Sequence, residues 1–154
     1  MLDQKIELLQ RVPLFAGLDL VHLEAISQVG QKTYFEAEEK LIVQGEKGDT
    51  AYLILTGKAA CSRSEIGQIF DEDLWPGTLV GELGMLVETV HALTVTACER
   101  LRALAISREA LLRVMEENPE IAKHISEKLL ERLSRLAEQL RDVDSKLAAI
   151  EKAA

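Results

Sequence analysis

The 154-residue sequence predicts an α+β fold: short antiparallel strands between residues 31 and 106, closed into a sandwich or barrel-like roll, with helices on either side. Three observations carry this. Apolar residues recur at helical spacing before residue 30 and again after residue 107. Between them, short apolar and β-branched runs alternate with glycine and acidic turns. No proline or glycine follows Pro119, so the last segment is free of helix breakers.

In chain order, Ile6 and Leu9, with Leu2 before them, and then Leu20, Leu23, Ile26 and Val29 mark two short helices, separated at Pro13 and Gly17. The strand region follows, with runs KTYF, KLIVQ, AYLILTG, KAACS, QIFDEDLW, ALTVTA and LRALAI, and with glycines at 45, 48, 57, 67, 77, 81 and 84. Seven or eight strands fit this stretch, interrupted by one helical turn over 82–87. Ser107 is a suitable N-cap for a helix with Leu111, Leu112, Val114 and Met115 on its apolar face. Asn118-Pro119 reads as a second N-cap followed by proline at the first helical position. The helix that begins there runs for about 35 residues, roughly 50 Å at 1.5 Å per residue. It carries a heptad repeat, with Leu133, Leu140 and Leu147 at a and Leu129, Leu136, Val143 and Ile150 at d. Lys146 and Glu151 fall on flanking positions that attract in a parallel pair. The sequence therefore divides into a β-domain with flanking helices over 1–117 and a long dimerising helix over 118–154.

Composition narrows the function classes. Lys plus Arg number 18 against 26 Asp plus Glu, a net charge of −8 with most of the excess before residue 107. Phosphate backbones are bound by basic faces, so this balance speaks against a nucleic-acid partner. No apolar run nears the roughly 20 residues of a membrane span. The start, MLDQKIELLQR, lacks the basic-then-apolar order of a secretory leader, which predicts a cytoplasmic protein. Cys61 and Cys98 share no metal-like spacing with His22, His91 and His124, so two reduced thiols and no metal are expected. The sequence offers no nucleophile–base pair and no paired acids, so no enzyme is expected.

One constellation carries chemistry. In Gly81-Glu82-Leu83-Gly84 a glycine precedes a single helical turn, and a strand follows through His91, Ala92 and Thr94. The first N–H groups of such a turn have no intrahelical partner and favour an anion. Glu82 at the mouth can accept hydrogen bonds from a sugar hydroxyl, and His91 on the returning loop can face the same anion. These residues describe a pocket for a small phosphate ester.

Order and motifs together resemble the cyclic nucleotide-binding domain of the catabolite activator protein and of protein kinase A regulatory subunits. The resemblance spans about residues 12–140. It rests on Leu14–Leu18 (LFAGL), on the spacing of Gly45, Gly48, Asp49, Tyr52, Ile54 and Gly57, on the cassette from Gly81 to Val95, and on Asn118-Pro119 with the long helix. It implies an eight-stranded antiparallel β-roll of jelly-roll type, whose cassette binds cyclic phosphate and ribose and whose long helix closes over the base. Glu82 then matches the ribose-binding carboxylate, Gly81, Glu82 and Leu83 supply cassette backbone, and Ala92 matches the residue whose N–H meets the phosphate. Cys61 falls on an apolar cradle position. Leu136 and Ala137 fall on the base-contacting positions of the helix.

Three departures bear on function. His91 stands where the family has its phosphate-binding arginine, and imidazole offers one donor and a charge that comes and goes near neutral pH. Leu136 and Ala137 cannot hydrogen-bond a purine. The sequence ends at Ala154, where transcription factors of the family continue into a helix-turn-helix, so no DNA partner is expected. The reading that follows is a sensor of cAMP or cGMP, without covalent cofactor, that signals through a homodimer-forming helix. The alternative is a degenerate pocket on a dimeric protein-interaction module.

Overall fold

The computed structural model describes residues 3–65 and 68–153; Leu2, Gly67 and Ala154 of the reading above lie outside the described residues. Helices α1 (Gln4–Arg11) and α2 (Leu20–Val29) open the chain. Asp3 caps α1 by accepting from the Lys5 N–H at 3.1 Å. Leu9, Leu23 and Ile26 are fully buried, whereas Leu20 stays half exposed at the start of α2.

Eight strands form two four-stranded antiparallel sheets, as the roll requires. The first has the order β1 (Gln31–Phe35), β10 (Leu101–Ser107), β4 (Thr50–Thr56), β7 (Leu79–Val80). The second has β2 (Lys40–Ile42), β9 (Thr94–Ala97), β5 (Ala59–Glu65), β6 (Gln68–Leu74). A two-residue ribbon, β3 (Lys47–Gly48) with β8 (Thr89–Val90), is additional to the expected strands. Helix α3 (Glu82–Leu86) is the expected single turn.

The period-two alternation of strands divides the core into two layers. On β4, Ile54 and Tyr52 face the second sheet with Leu101 and Ala103 of β10, Phe35, Ile42, Val80 and Val95. Leu53 and Leu55, with Leu104 and Ile106 of β10, face the helices instead. These two strands are buried on both sides, which explains their nearly unbroken apolar runs. Each fully buried side chain of this size stabilises by about 1.5–3 kcal/mol.

Ser107 caps α4 (Arg108–Glu117), its hydroxyl accepting from the Ala110 N–H at 3.0 Å. Helix α5 spans Pro119–Ala153, 35 residues, the length the sequence predicts. Its opening turns belong to the helical core: Ile121 and Ile125 are buried and Leu129 packs against the same layer. Leu129 is thus occupied by its own domain, while Leu133, Leu136, Leu140, Val143, Leu147 and Ile150 are all at least 50% exposed. Among the described residues, no helix is long and apolar enough to cross a membrane. Cys61 is half-buried, Cys98 is exposed, and both are free thiols.

Candidate functional site

A cavity of about 340 Å³ opens between α3, β8 and the inner face of the second sheet. That volume lies in the range of small-ligand sites. Gly81, Glu82, Leu83, His91, Ala92 and Cys61 all line it. Six of the eight residues singled out from the sequence are therefore brought together around one space. Leu136 and Ala137 are not among its lining residues; Leu136 is exposed on α5 and Ala137 is half-buried.

Local backbone chemistry explains the cassette. Gly81 is the N-cap of α3 with φ +77°, a left-handed conformation that glycine adopts without steric cost. The Gly84 N–H returns to Gly81 O at 3.1 Å and closes the turn, and Met85 anchors it in the helical core. Glu82 and Leu83 hold the first N–H groups of this turn, the ones left without intrahelical partners.

The turn is pressed against the backbone at Gly48, where β3 leads into β4. A Cβ at Gly84 would stand 2.9 Å from Gly48 O, so only glycine permits this approach. Arg108 bridges the same two backbones. Its Nε donates to Gly84 O at 3.0 Å and its Nη2 to Gly48 O at 3.1 Å, while its own N–H donates to Asp49 O at 2.6 Å. The cassette is thereby tied to the first residue of α4.

His91 sits between Gly48 and the cassette. Its N–H donates to Glu46 O at 2.9 Å and its carbonyl accepts from the Gly45 N–H at 2.9 Å, which fixes the backbone. The ring lies over Gly48: a Cβ there would stand 2.0 Å from His91 Nε2. One at Gly81 would stand 3.7 Å from His91 Cε1. His91 thus lines both the cavity and a smaller groove that also holds Tyr52. Burial, and then the Asp49 carboxylate, push the Tyr52 phenol above its ordinary 10.0.

Glu82 meets a partner that sequence reasoning missed. Arg132 of α5 donates from Nη1 to Glu82 Oε1 at 2.5 Å, joining the cassette to the long helix across 50 residues of sequence. The side chains are 24% exposed for Glu82 and 39% for Arg132. One carboxylate oxygen is engaged, and a carboxylate has about four lone-pair sites, so an acceptor remains for a ligand hydroxyl. The helical period holds the missed signal: Arg132 falls seven residues after Ile125 and eleven after Ile121, on the face that packs against the domain.

Comparison with known proteins identifies the class. Residues 32–118 match the cyclic nucleotide-binding domain, and the chain belongs to that family. It is 31% identical over 120 residues to a cAMP-dependent protein kinase regulatory subunit of Mucor circinelloides f. lusitanicus, covering 77% of this chain and 28% of that protein. It is 26% identical over 139 residues to a CRP-like cAMP-activated global transcriptional regulator of Mycobacterium tuberculosis, covering 89% of this chain and 62% of the regulator. The chain thus spans less than two thirds of either relative. The solved N-terminal domain of a transcriptional regulator from Streptomyces coelicolor superposes with TM-score 0.81 at 24% identity, over 86% of this chain and 94% of that one, a likeness of fold.

Proposed function

We propose that the chain is a regulatory module that binds a cyclic nucleotide in the cassette cavity and passes the bound state to α5. The observation that carries this is the Arg132–Glu82 contact. The carboxylate suited to a ribose hydroxyl is also the residue that the long helix grips, so occupation of the cavity and the position of α5 are coupled. The two named relatives are a cAMP-dependent kinase regulatory subunit and a cAMP-activated regulator, which supports cAMP as the ligand; cGMP carries the same cyclic phosphate and ribose. In this reading Gly81, Glu82, Leu83 and Ala92 offer backbone N–H groups to the cyclic phosphate, His91 faces it as the cation, the Glu82 carboxylate accepts from the ribose and Cys61 lies against the base. The module acts by binding, without catalysis, in the cytoplasm.

The stripe from Leu133 to Ile150 extends beyond the domain with each of its side chains at least half exposed. Its occupant in this proposal is the same stripe of a second copy, in a parallel pair. Leu136 and Ala137 then serve the helix seam rather than the base.

A second reading draws on His91 and on the lack of hydrogen-bonding groups at Leu136 and Ala137: a pocket that no longer binds nucleotide, on a dimeric scaffold. Calorimetric titration of the purified chain with cAMP and with cGMP separates the two. Saturable binding of one nucleotide per chain supports the sensor. No heat and no competition at millimolar nucleotide would leave the scaffold.

A further inference from the structure

The part of the cavity wall formed by the second sheet carries a second carboxylate. In the second sheet Cys61 of β5 pairs with Glu72 of β6 on one side and with Val95 of β9 on the other. Directly opposed residues point to the same face of a sheet, and so do residues two apart along a strand. Cys61, Glu72, Leu74 and Val95 therefore share one face, and all four line the cavity. Among the described lining residues there are two carboxylates, Glu82 in the cassette and Glu72 on this otherwise apolar face, where it is exposed.

We infer that Glu72 reads the base and tunes the cavity to a 6-oxo purine with a 2-amino group, that is, to cGMP over cAMP. This rests on the proposal that the cavity holds a cyclic nucleotide. With ribose and phosphate at Glu82, Gly81 and His91, the base extends toward Cys61, Leu74 and Val95, where Glu72 meets its edge. A carboxylate only accepts hydrogen bonds. Guanine presents a ring N–H beside an exocyclic amino group, two parallel donors for the two oxygens. Adenine presents one amino donor beside a ring nitrogen whose lone pair opposes the second oxygen. Paired bonds to an ionised group are the stronger and more directional kind. Leu136 and Ala137 bring no competing polar group from α5.

β6 is an edge strand, and an inward charge on an edge also discourages pairing with other sheets. That role leaves nucleotide preference unmoved, so preference is the quantity to measure. Wild type and Glu72→Gln are titrated calorimetrically with cAMP, cGMP and cIMP, which keeps the ring N–H and lacks the amino group. A thermal melt of each protein verifies folding; Glu72 is exposed, so the amide is accommodated. The expected result is wild-type cGMP binding at least about tenfold tighter than cAMP, with cIMP between them, and a fall of about ten- to hundredfold in the cGMP-to-cAMP ratio in Glu72→Gln. Binding of both nucleotides with a ratio unchanged by the substitution, or a wild-type preference for cAMP, overturns the role of Glu72 and leaves the nucleotide reading standing. No binding of any of the three overturns both.

Discussion

Arg132→Met keeps most of the aliphatic stem and removes the guanidinium that grips Glu82. In the unliganded protein the effect on stability is small. Arg132 is 39% exposed, and ion pairs open to solvent contribute about 0.2–1 kcal/mol. For a chain of this size that lowers Tm by about 4 °C or less. The effect on binding is larger than this exposure suggests. A nucleotide seated in the cavity covers Glu82 and removes water from it, and an acidic group then depends on its remaining partner. We expect Arg132→Met to weaken cyclic nucleotide binding by about 1 kcal/mol, roughly fivefold. Glu82→Ala removes the hydroxyl acceptor itself, at about 1.5–3 kcal/mol. The two are linked through one carboxylate, so the double variant should bind no worse than Glu82→Ala alone. Calorimetry on wild type, both single variants and the double variant closes the cycle. Tighter binding by Arg132→Met would refute the reasoning, because it would mean that Arg132 competes with the sugar for Glu82. Strict additivity would refute it as well, since Arg132 would then act apart from Glu82.

Four further outcomes are expected. Leu133→Asp with Leu140→Asp places charges in the exposed stripe of α5 and should convert a dimer to a monomer in sedimentation velocity; unchanged assembly would place the contact elsewhere. His91→Arg replaces a one-donor imidazole by a permanently charged fork of donors and should tighten cyclic nucleotide binding about tenfold in calorimetry; no gain from the arginine would mean that the side chain at 91 does not face the phosphate. Gly48→Ala should expel the His91 ring, since the new Cβ would lie 2.0 Å from Nε2. This should weaken binding about tenfold with little change in Tm, because a half-buried side chain yields. Gly84→Ala, by contrast, should lower Tm, because its Cβ meets the Gly48 backbone at 2.9 Å.

Elements defined by a long period were legible in the sequence. Helix α5 could be read from its repeat and from the lack of breakers after Pro119, and the start of α4 from Ser107. Strands β4 and β10 were legible as strands, but their two-sided burial divides them between two cores, which alternation alone does not reveal. β3, β7 and β8 have two residues each, too short for any period, and are defined only by their partners. At the site, the cassette residues could be named because they are contiguous and glycine-marked. Arg132 is one arginine among several on a charged helix, and its meaning appears only when the fold sets it against Glu82. Arg108 was equally hidden: its role depends on two backbone carbonyls, which no sequence pattern displays.

Glu82 is, in the proposed function, the group that receives a ribose hydroxyl in a cyclic nucleotide site. The direct test is calorimetry with cAMP, cGMP and their 2′-deoxy forms on wild type and Glu82→Ala. The account predicts that the wild type binds the ribose forms about ten- to hundredfold tighter than the deoxy forms, and that Glu82→Ala binds both alike at the weaker level. Equal wild-type affinity for ribose and deoxyribose nucleotides would contradict it.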